Sequence, residues 1–448
     1  MGFKRKAYNN LLEWKNSSAS SKAIIIKGAR RVGKSFLAEE FAKNEYKSYL
    51  LIDFSTPLPG TEDIFKKYGN RGSLDEFFNQ LSVLYSVSLK PKNSVIIFDE
   101  VQKYPKAREL IKHLVADNRY DFIETGSLIS IKKNAGKILI PSEEEELFLH
   151  PMDFEEFLNA LGDELTVPLL QNNYLERKPL GNLLKTVNEK LRLYMLIGGM
   201  PQSVLSYVNT KNYDDVEKTK RGIIKLYRED IVKYAESYVA EATAIFNAIP
   251  SQLAHHDKKI KYSALKEGDR FSSYRDALFW ISDSMVGNFC YGLDEPSEFD
   301  GFSLQKNKIK CYMADTGLLL TLASGNNYLK SELYKSFALG KLSVNKGMMT
   351  ENLVAQMLVC NNHPLRFYET IIKSGNKNSK YEVDFLLHEN TKTTPLEVKS
   401  GNIKTHSSLD FFAKKFKSNS QKGIVLTKGD LRETEDYLYL PLAMAMFL

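Results

Sequence analysis

Two groups of residues, far apart in the chain, have the types and spacing that phosphate chemistry requires. The first is Gly28-Ala29-Arg30-Arg31-Val32-Gly33-Lys34-Ser35. It follows the β-branched run Ala23–Lys27 and precedes Leu37 and Phe41, which recur at helical spacing. Strand, glycine loop and helix in that order are the context in which G-x-x-x-x-G-K-[ST] reads as a phosphate loop. Gly28 and Gly33 let the backbone turn its N–H groups inward, and the helix adds its positive dipole end to the same anion. Lys34 would reach the β- and γ-phosphates, and the Ser35 hydroxyl would ligate Mg²⁺. The spacing therefore implies a nucleoside triphosphate, with Arg31 and Phe36 counted among the expected contacts. Val95-Ile96-Ile97-Phe98-Asp99-Glu100 belongs with this loop. A buried strand ends there in two acids, at the edge where open α/β sheets bind ligands. Asp99 would order the Mg²⁺ shell and Glu100 would polarise the attacking water. Asp121–Ser127 reads as a further strand with Thr125 and Ser127 as hydroxyls at its tip.

The second group is Glu351, Asp384, Glu397 and Lys399. Lys346–Leu358 is an amphipathic helix with Glu351 near its start. Tyr381–Leu387 and Pro395–Lys399 read as paired strands joined by a turn at Asn390–Thr394. Period-2 alternation then brings Asp384 and Glu397 toward one ion.

These residues must be positioned by a large chain. At 448 residues it is too long for one ordinary core, and 43% hydrophobic with 26% charged residues is a globular composition. A net charge of +7 is compatible with an anionic partner without requiring one. Three cysteines with no C-x-x-C pair argue against a disulfide framework or structural zinc, and for a cytoplasmic protein. The first residues lack the apolar core of a signal peptide, and Lys6 breaks the myristoylation pattern. No apolar run reaches membrane-spanning length, so no membrane partner is expected.

The intervening stretches supply a short amphipathic helix over residues 3–15, a strand at Ser48–Phe54, and a helix carrying Leu74, Phe77, Phe78 and Leu81. Glu143–Glu146 reads as a solvated acidic loop. Leu191–Ile197 is an apolar helix ended by Gly198-Gly199, a stop with a mobile joint before Pro201. Residues 248–317 have the order of a winged helix, with Asn288–Tyr291 and Lys308–Met313 as wing strands. Lys258, Lys259, Lys261, Lys306, Lys308 and Lys310 would cluster there and could contact phosphates, although a packing or self-association module fits as well. His255 and His256 are expected on the surface.

The phosphate loop, Phe98–Gln102, Thr125-Gly126-Ser127 and the later Pro151–Phe157 together resemble a prokaryotic AAA-type P-loop ATPase family. The whole chain resembles members that end in a nuclease-like domain of unknown function. The resemblance implies ATP and Mg²⁺ as cofactors, a γ-phosphate sensor at Ser127 or Thr125, and a homo-oligomer sharing an arginine. The Gly-Gly-x-Pro element is similar to a lid element whose proline, here Pro201, approaches adenine. The C-terminal group resembles the PD-(D/E)XK nuclease core. Asp384 and Glu397 would then bind Mg²⁺, Glu351 would complete the acidic shell and Lys399 would orient or activate water; Val383 stands where that motif has proline. The expected fold is α/β throughout: an AAA-type ATPase domain with a parallel sheet over 1–160, a helical connector over 161–240, a winged-helix-like domain over 241–325, and a nuclease-like α/β domain over 326–448. Three functional expectations stay open: an ATPase coupled to a DNA-directed nuclease, an ATP-controlled switch that binds DNA or protein without cutting, or a plain ATPase whose tail serves in assembly.

Overall fold

The computed structural model describes residues 2–68, 73–127, 142–255, 257–296, 304–325, 327, 331–338, 346–374, 377–389, 391–401 and 405–448. His256 and Asn390 lie outside them. Two compact units divide the chain: Met1–His150 with Asp283–Met285, and Pro151–Ser282 with Val286–Leu448.

The first unit opens with helix α1 (Ala7–Ser17), whose Ala7, Leu11 and Trp14 fall on one buried stripe. Strand β1 (Ala23–Lys27) and helix α2 (Lys34–Glu45) flank the glycine loop. Then come β2 (Ser48–Asp53), α3 (Thr61–Tyr68), α4 (Leu74–Leu84), β3 (Ser94–Asp99), α5 (Pro105–Asp117), β4 (Asp121–Gly126) and β5 (Glu144–Phe148). The strands form one sheet in the order β2-β3-β4-β1-β5, and each pairing is parallel. β1 and β3 are buried along their whole length, as an apolar strand covered on both faces must be. Phe54, Phe65, Phe77, Phe98 and Phe122 fill the core between the sheet and α3–α5. N-terminal parallel sheet and helices together make the P-loop ATPase fold of AAA type.

Of the stretch read as an acidic loop, Glu144–Glu146 lie instead in the edge strand β5. Each acid of the stretch is met by a base from elsewhere in the unit: Glu143 by Lys112, Glu144 by Arg108, Glu145 by Lys22 and Glu146 by Lys27. The Arg108 guanidinium donates twice to Glu144, at 2.9 and 2.6 Å. Charge matching across the fold, invisible locally, makes strand out of a run that solvation alone would leave as loop.

The second unit begins with helices α6 (Phe154–Ala160), α7 (Thr166–Leu175), α8 (Leu183–Ile197), α9 (Pro201–Thr210), α10 (Tyr213–Tyr234), α11 (Val239–Ala254), α12 (Tyr262–Leu265) and α13 (Phe271–Asp283). Strands β6 (Gly287–Leu293) and β7 (Leu304–Met313) follow, then α14 (Thr316–Ala323), α15 (Ser331–Ala338) and α16 (Lys346–Cys360). The chain ends with β8 (Arg366–Ser374), β9 (Lys377–Val383), β10 (Phe385–Glu389), β11 (Lys392–Val398), α17 (Ser407–Lys415), β12 (Gly423–Thr427), β13 (Arg432–Glu433) and β14 (Tyr437–Pro441). Two mixed sheets result, β7-β6-β8-β9 and β10-β11-β12-β14-β13. The expected wing strands β6 and β7 are antiparallel partners, but β6 also pairs parallel with β8. They belong to a sheet completed by the C-terminal segment and do not project as a free wing.

Tyr381–Leu387 is not one strand either. The backbone bends at Asp384, so that β9 ends in one sheet and β10 starts the other. Gly198-Gly199 is a close-packed joint. A Cβ on Gly199 would stand 2.0 Å from the Met152 carbonyl, and one on Gly198 would stand 2.2 Å from the Asp315 carboxylate. Asp315, fully buried, accepts from the N–H groups of Gly199 and Leu318. Gly198 holds φ at 80°, a conformation that favours glycine.

Candidate nucleotide site and the C-terminal acidic core

The loop between β1 and α2 is shaped by backbone that side chains resist. Gly33 has φ 97° and Arg31 φ 73°, both left-handed. A Cβ on Gly28 would meet the Leu149 carbonyl at 2.3 Å, so the loop can leave β1 beside β5 only through glycine. Arg5 fastens the loop from the N-terminal segment, donating to the carbonyls of Val32 at 3.0 Å and His150 at 2.7 Å. Lys34, buried, lays its ammonium across the loop and donates to the carbonyls of Gly28 and Ala29 at 3.1 Å each. That ammonium is thus held over the concave backbone where phosphate oxygens would lie.

Opposite it, β3 delivers Asp99 and β4 delivers Thr125. The Ser35 hydroxyl donates to Asp99 Oδ1 at 2.7 Å, and Thr125 Oγ1 donates to the same oxygen. Thr125 Oγ1 also accepts from the Glu100 N–H at 3.2 Å. Glu100 itself is left-handed at φ 52°, the turn that breaks β3 and separates the two acids' directions. Its carboxylate accepts from the Gln102 amide. A hydroxyl and a carboxylate in contact at a phosphate loop are hard oxygen ligands, and Ser35 with Asp99 fits a Mg²⁺ ion. Of the two hydroxyls read from the sequence, Thr125 donates to Asp99, and Ser127 lies half-buried just past β4. Arg31 is exposed at the crown of the loop and Phe36 is exposed on the first turn of α2. Pro201 opens α9 in the second unit.

Sequence reasoning missed one buried cluster beside this site. Glu124 on β4 is fully buried next to the Arg108–Glu144 pair. Burial first, and then the Glu144 charge, push its carboxyl well above the usual range.

The C-terminal acids are placed differently from expectation. Glu351, buried on α16, has both oxygens engaged: Oε1 accepts from the Tyr312 hydroxyl at 2.6 Å and Oε2 is paired with the Lys258 ammonium. Lys310, with no exposure, lies 2.7 Å from Glu382 and 3.5 Å from Glu351. Burial raises Glu351, but Lys310 and then Lys258 outweigh it and hold the carboxyl below its ordinary range. Asp384 Oδ2 accepts from the Val398 N–H at 2.8 Å. Burial, followed by the Glu351 charge, pushes Asp384 up to about 6. Glu397 pairs with Lys399, and its other oxygen lies 3.6 Å from His406 Nδ1. Extending the β10–β11 register by one residue sets Asp384 opposite Glu397, so that adjacency was legible. Lys258, Lys259, Lys308 and Lys310, read as phosphate contacts, are taken up by acids of this core.

Residues 20–158 match the family model described as an AAA domain. Residues 188–329 and 346–444 match two models described as domains of unknown function (DUF8612 and DUF4143). No curated protein matches the chain. Among solved structures it is similar to the Pif1 helicase of Candida albicans, at 15% identity over 36% of this chain and 44% of that one, TM-score 0.23. It is similar also to Drosophila ORC bound to DNA, at 13% identity over 71% and 94%, TM-score 0.28. A third is Hsp104 with ATPγS and casein, at 14% identity over 64% and 52%, TM-score 0.29. This chain thus spans less than half of the Pif1 chain, and likenesses of this size define no function for it.

Proposed function

We propose that this protein binds ATP with Mg²⁺ between Gly28 and Ser35 and hydrolyses it. The observation that carries the reading is one connected constellation. Lys34 is held over the loop, and Ser35 and Thr125 meet on Asp99, while Glu100 is fixed through Thr125 and Gln102. Backbone N–H groups and Lys34 would bind the β- and γ-phosphates, and Ser35 with Asp99 would hold the metal. Bound there, Mg²⁺ supplies neutralisation of the charge on the phosphate oxygens. Glu100 acts as the general base that orients water, and Ser127, Arg31 and Phe36 complete the nucleotide contacts. A homo-oligomer lending an arginine between subunits belongs to the same reading.

Of the roles open for the second unit, a nucleotide-controlled switch that engages DNA or a protein without cutting is favoured over an ATP-coupled nuclease. The engagement of Glu351 by Lys258 and Lys310 supports it. Glu100→Gln should keep ATP affinity within about threefold while lowering turnover at least a hundredfold, the range of a lost general base. Phosphate release and equilibrium nucleotide binding on the same preparation check this. Unchanged turnover would remove Glu100 from its role.

A further inference from the structure

Asp257, Glu369 and Glu382 each offer an oxygen, and these oxygens lie within 4.8 Å of one another. Among the described residues this is the one group of three or more acids, histidines and cysteines close enough to share a cation. Its centre is taken by an ammonium group. Lys380 Nζ lies 2.7 Å from Asp257, 2.8 Å from Glu369 and 2.7 Å from Glu382. Three carboxylates around one nitrogen match the three donors of an ammonium. Lys259 adds a second nitrogen at 2.6 Å from Glu369 and 3.2 Å from Asp257. Next to this group, Lys310 spans Glu382 and Glu351, and Lys258 closes the remaining oxygen of Glu351.

Lys258, Lys259, Lys308, Lys310 and Lys380 therefore stand against Asp257, Glu351, Glu369 and Glu382, each lysine within 4 Å of at least one of these carboxylates. Such a donor set does not fit a divalent metal. A dipositive ion placed here would meet fixed cations at short range, and the Glu351 oxygens are already committed. Lys310 and Glu351 have almost no contact with water, so neither charge can leave its partner without a large desolvation cost.

We infer that lysine ammonium groups occupy the place of a divalent cation in this core, which makes it a metal-independent and non-cleaving structural lattice. The lattice joins residues 257–259 and β7 to α16, β8 and β9, so that segments on both sides of residue 325 fold as one piece. This explains why β6 and β7 share a sheet with β8 and β9. The inference stands apart from the ATPase reading, since none of its residues lies in the first unit.

The test uses the full chain without nucleotide, carrying Ser35→Ala so that the phosphate loop contributes no metal site. Thermal unfolding in EDTA and in 5 mM Mn²⁺ should agree within about 1 °C, because no metal is bound. Lys380→Met should lower the midpoint by several degrees, and Mn²⁺ should restore part of that loss by entering the vacated carboxylates. Loss of packing alone would give no such rescue. Supercoiled plasmid with Mg²⁺ or Mn²⁺ should be cut no faster than by Asp384→Ala. Should Lys380→Met fail to fold, the EDTA and Mn²⁺ comparison and the plasmid assay decide. A Mn²⁺-dependent rise of several degrees that disappears in Asp384→Asn would overturn the inference, as would cleavage that depends on Asp384. So would a Lys380→Met protein that folds but gains nothing from Mn²⁺.

Discussion

Thr125 joins the parts of the nucleotide site. Its hydroxyl donates to Asp99 and accepts from the Glu100 N–H, so one buried oxygen couples Asp99, the proposed metal ligand, to the backbone of Glu100, the proposed general base. Thr125→Val keeps the shape and removes the hydroxyl. It should cost roughly 1–3 kcal/mol of stability, the range for a buried partner left unsatisfied. Turnover should fall about tenfold, equivalent to about 1.4 kcal/mol of transition-state positioning, while ATP affinity changes little. Chemical denaturation and steady-state hydrolysis on one preparation separate the two effects. The acidic core makes a second prediction at this scale. Burial raises Glu382, but Lys310 and then Lys380 outweigh it and bring the carboxyl down to about 2 from an ordinary 4.5. A depressed carboxyl stabilises the fold above its unfolded value, and that contribution is lost as pH falls from 4.5 toward 2. Full loss is worth on the order of 3 kcal/mol. Asp384, raised to about 6 from 3.8, has the opposite sign, since its charge costs stability that acid relieves between 6 and 3.8. The thermal midpoint should thus rise modestly from pH 7 to 5, level off between 4.5 and 3.8 where the two groups oppose each other, and drop below 3.8, with Glu382→Gln flattening the lower limb in calorimetry.

At the scale of elements, the glycine joint after α8 has a structural role that composition alone hid. Gly199 sits with its Cα against the Met152 backbone, and the Met152 N–H donates to the Gly199 carbonyl at 2.7 Å. Gly199→Ala should destabilise the second unit by roughly 2–4 kcal/mol, because backbone, which cannot step aside, meets the added methyl. Thermal unfolding would show it as a lower midpoint. A sequence reading sees a helix stop there and infers mobility, since Asp315 and Met152, which lock it, are remote in the chain. The same limit explains the other departures. β1, β3 and the loop between Gly28 and Ser35 were legible because their signals are contiguous: apolar runs, glycines, and acids one residue apart. The edge strand β5 was hidden because Arg108, Lys22 and Lys27 neutralise its glutamates from other elements. The bend at Asp384 was hidden because a period-2 pattern continues through it. The basic cluster around Lys258 and Lys310 was visible as charge, but its partners Glu351, Glu369 and Glu382 lie far along the chain.

For the whole molecule, ion pairs inside the fold leave the net charge of +7 over 448 residues unchanged, since each takes one charge of either sign, but they fix which lysines stay free for an anionic partner. Lys258, Lys259, Lys310 and Lys380 carry ion pairs inside the fold. The chemistry proposed above lies in one unit, and structural cohesion is proposed for the acids of the other. No described helix is long and apolar enough to cross a membrane. The most direct measurement is titration calorimetry of ATP with Mg²⁺ into the full chain and into Lys34→Ala. Saturable binding to the first, with affinity reduced at least a hundredfold in the second, is the predicted result. Equal affinity in the two proteins, or no binding to either, would contradict a triphosphate held between Gly28 and Ser35.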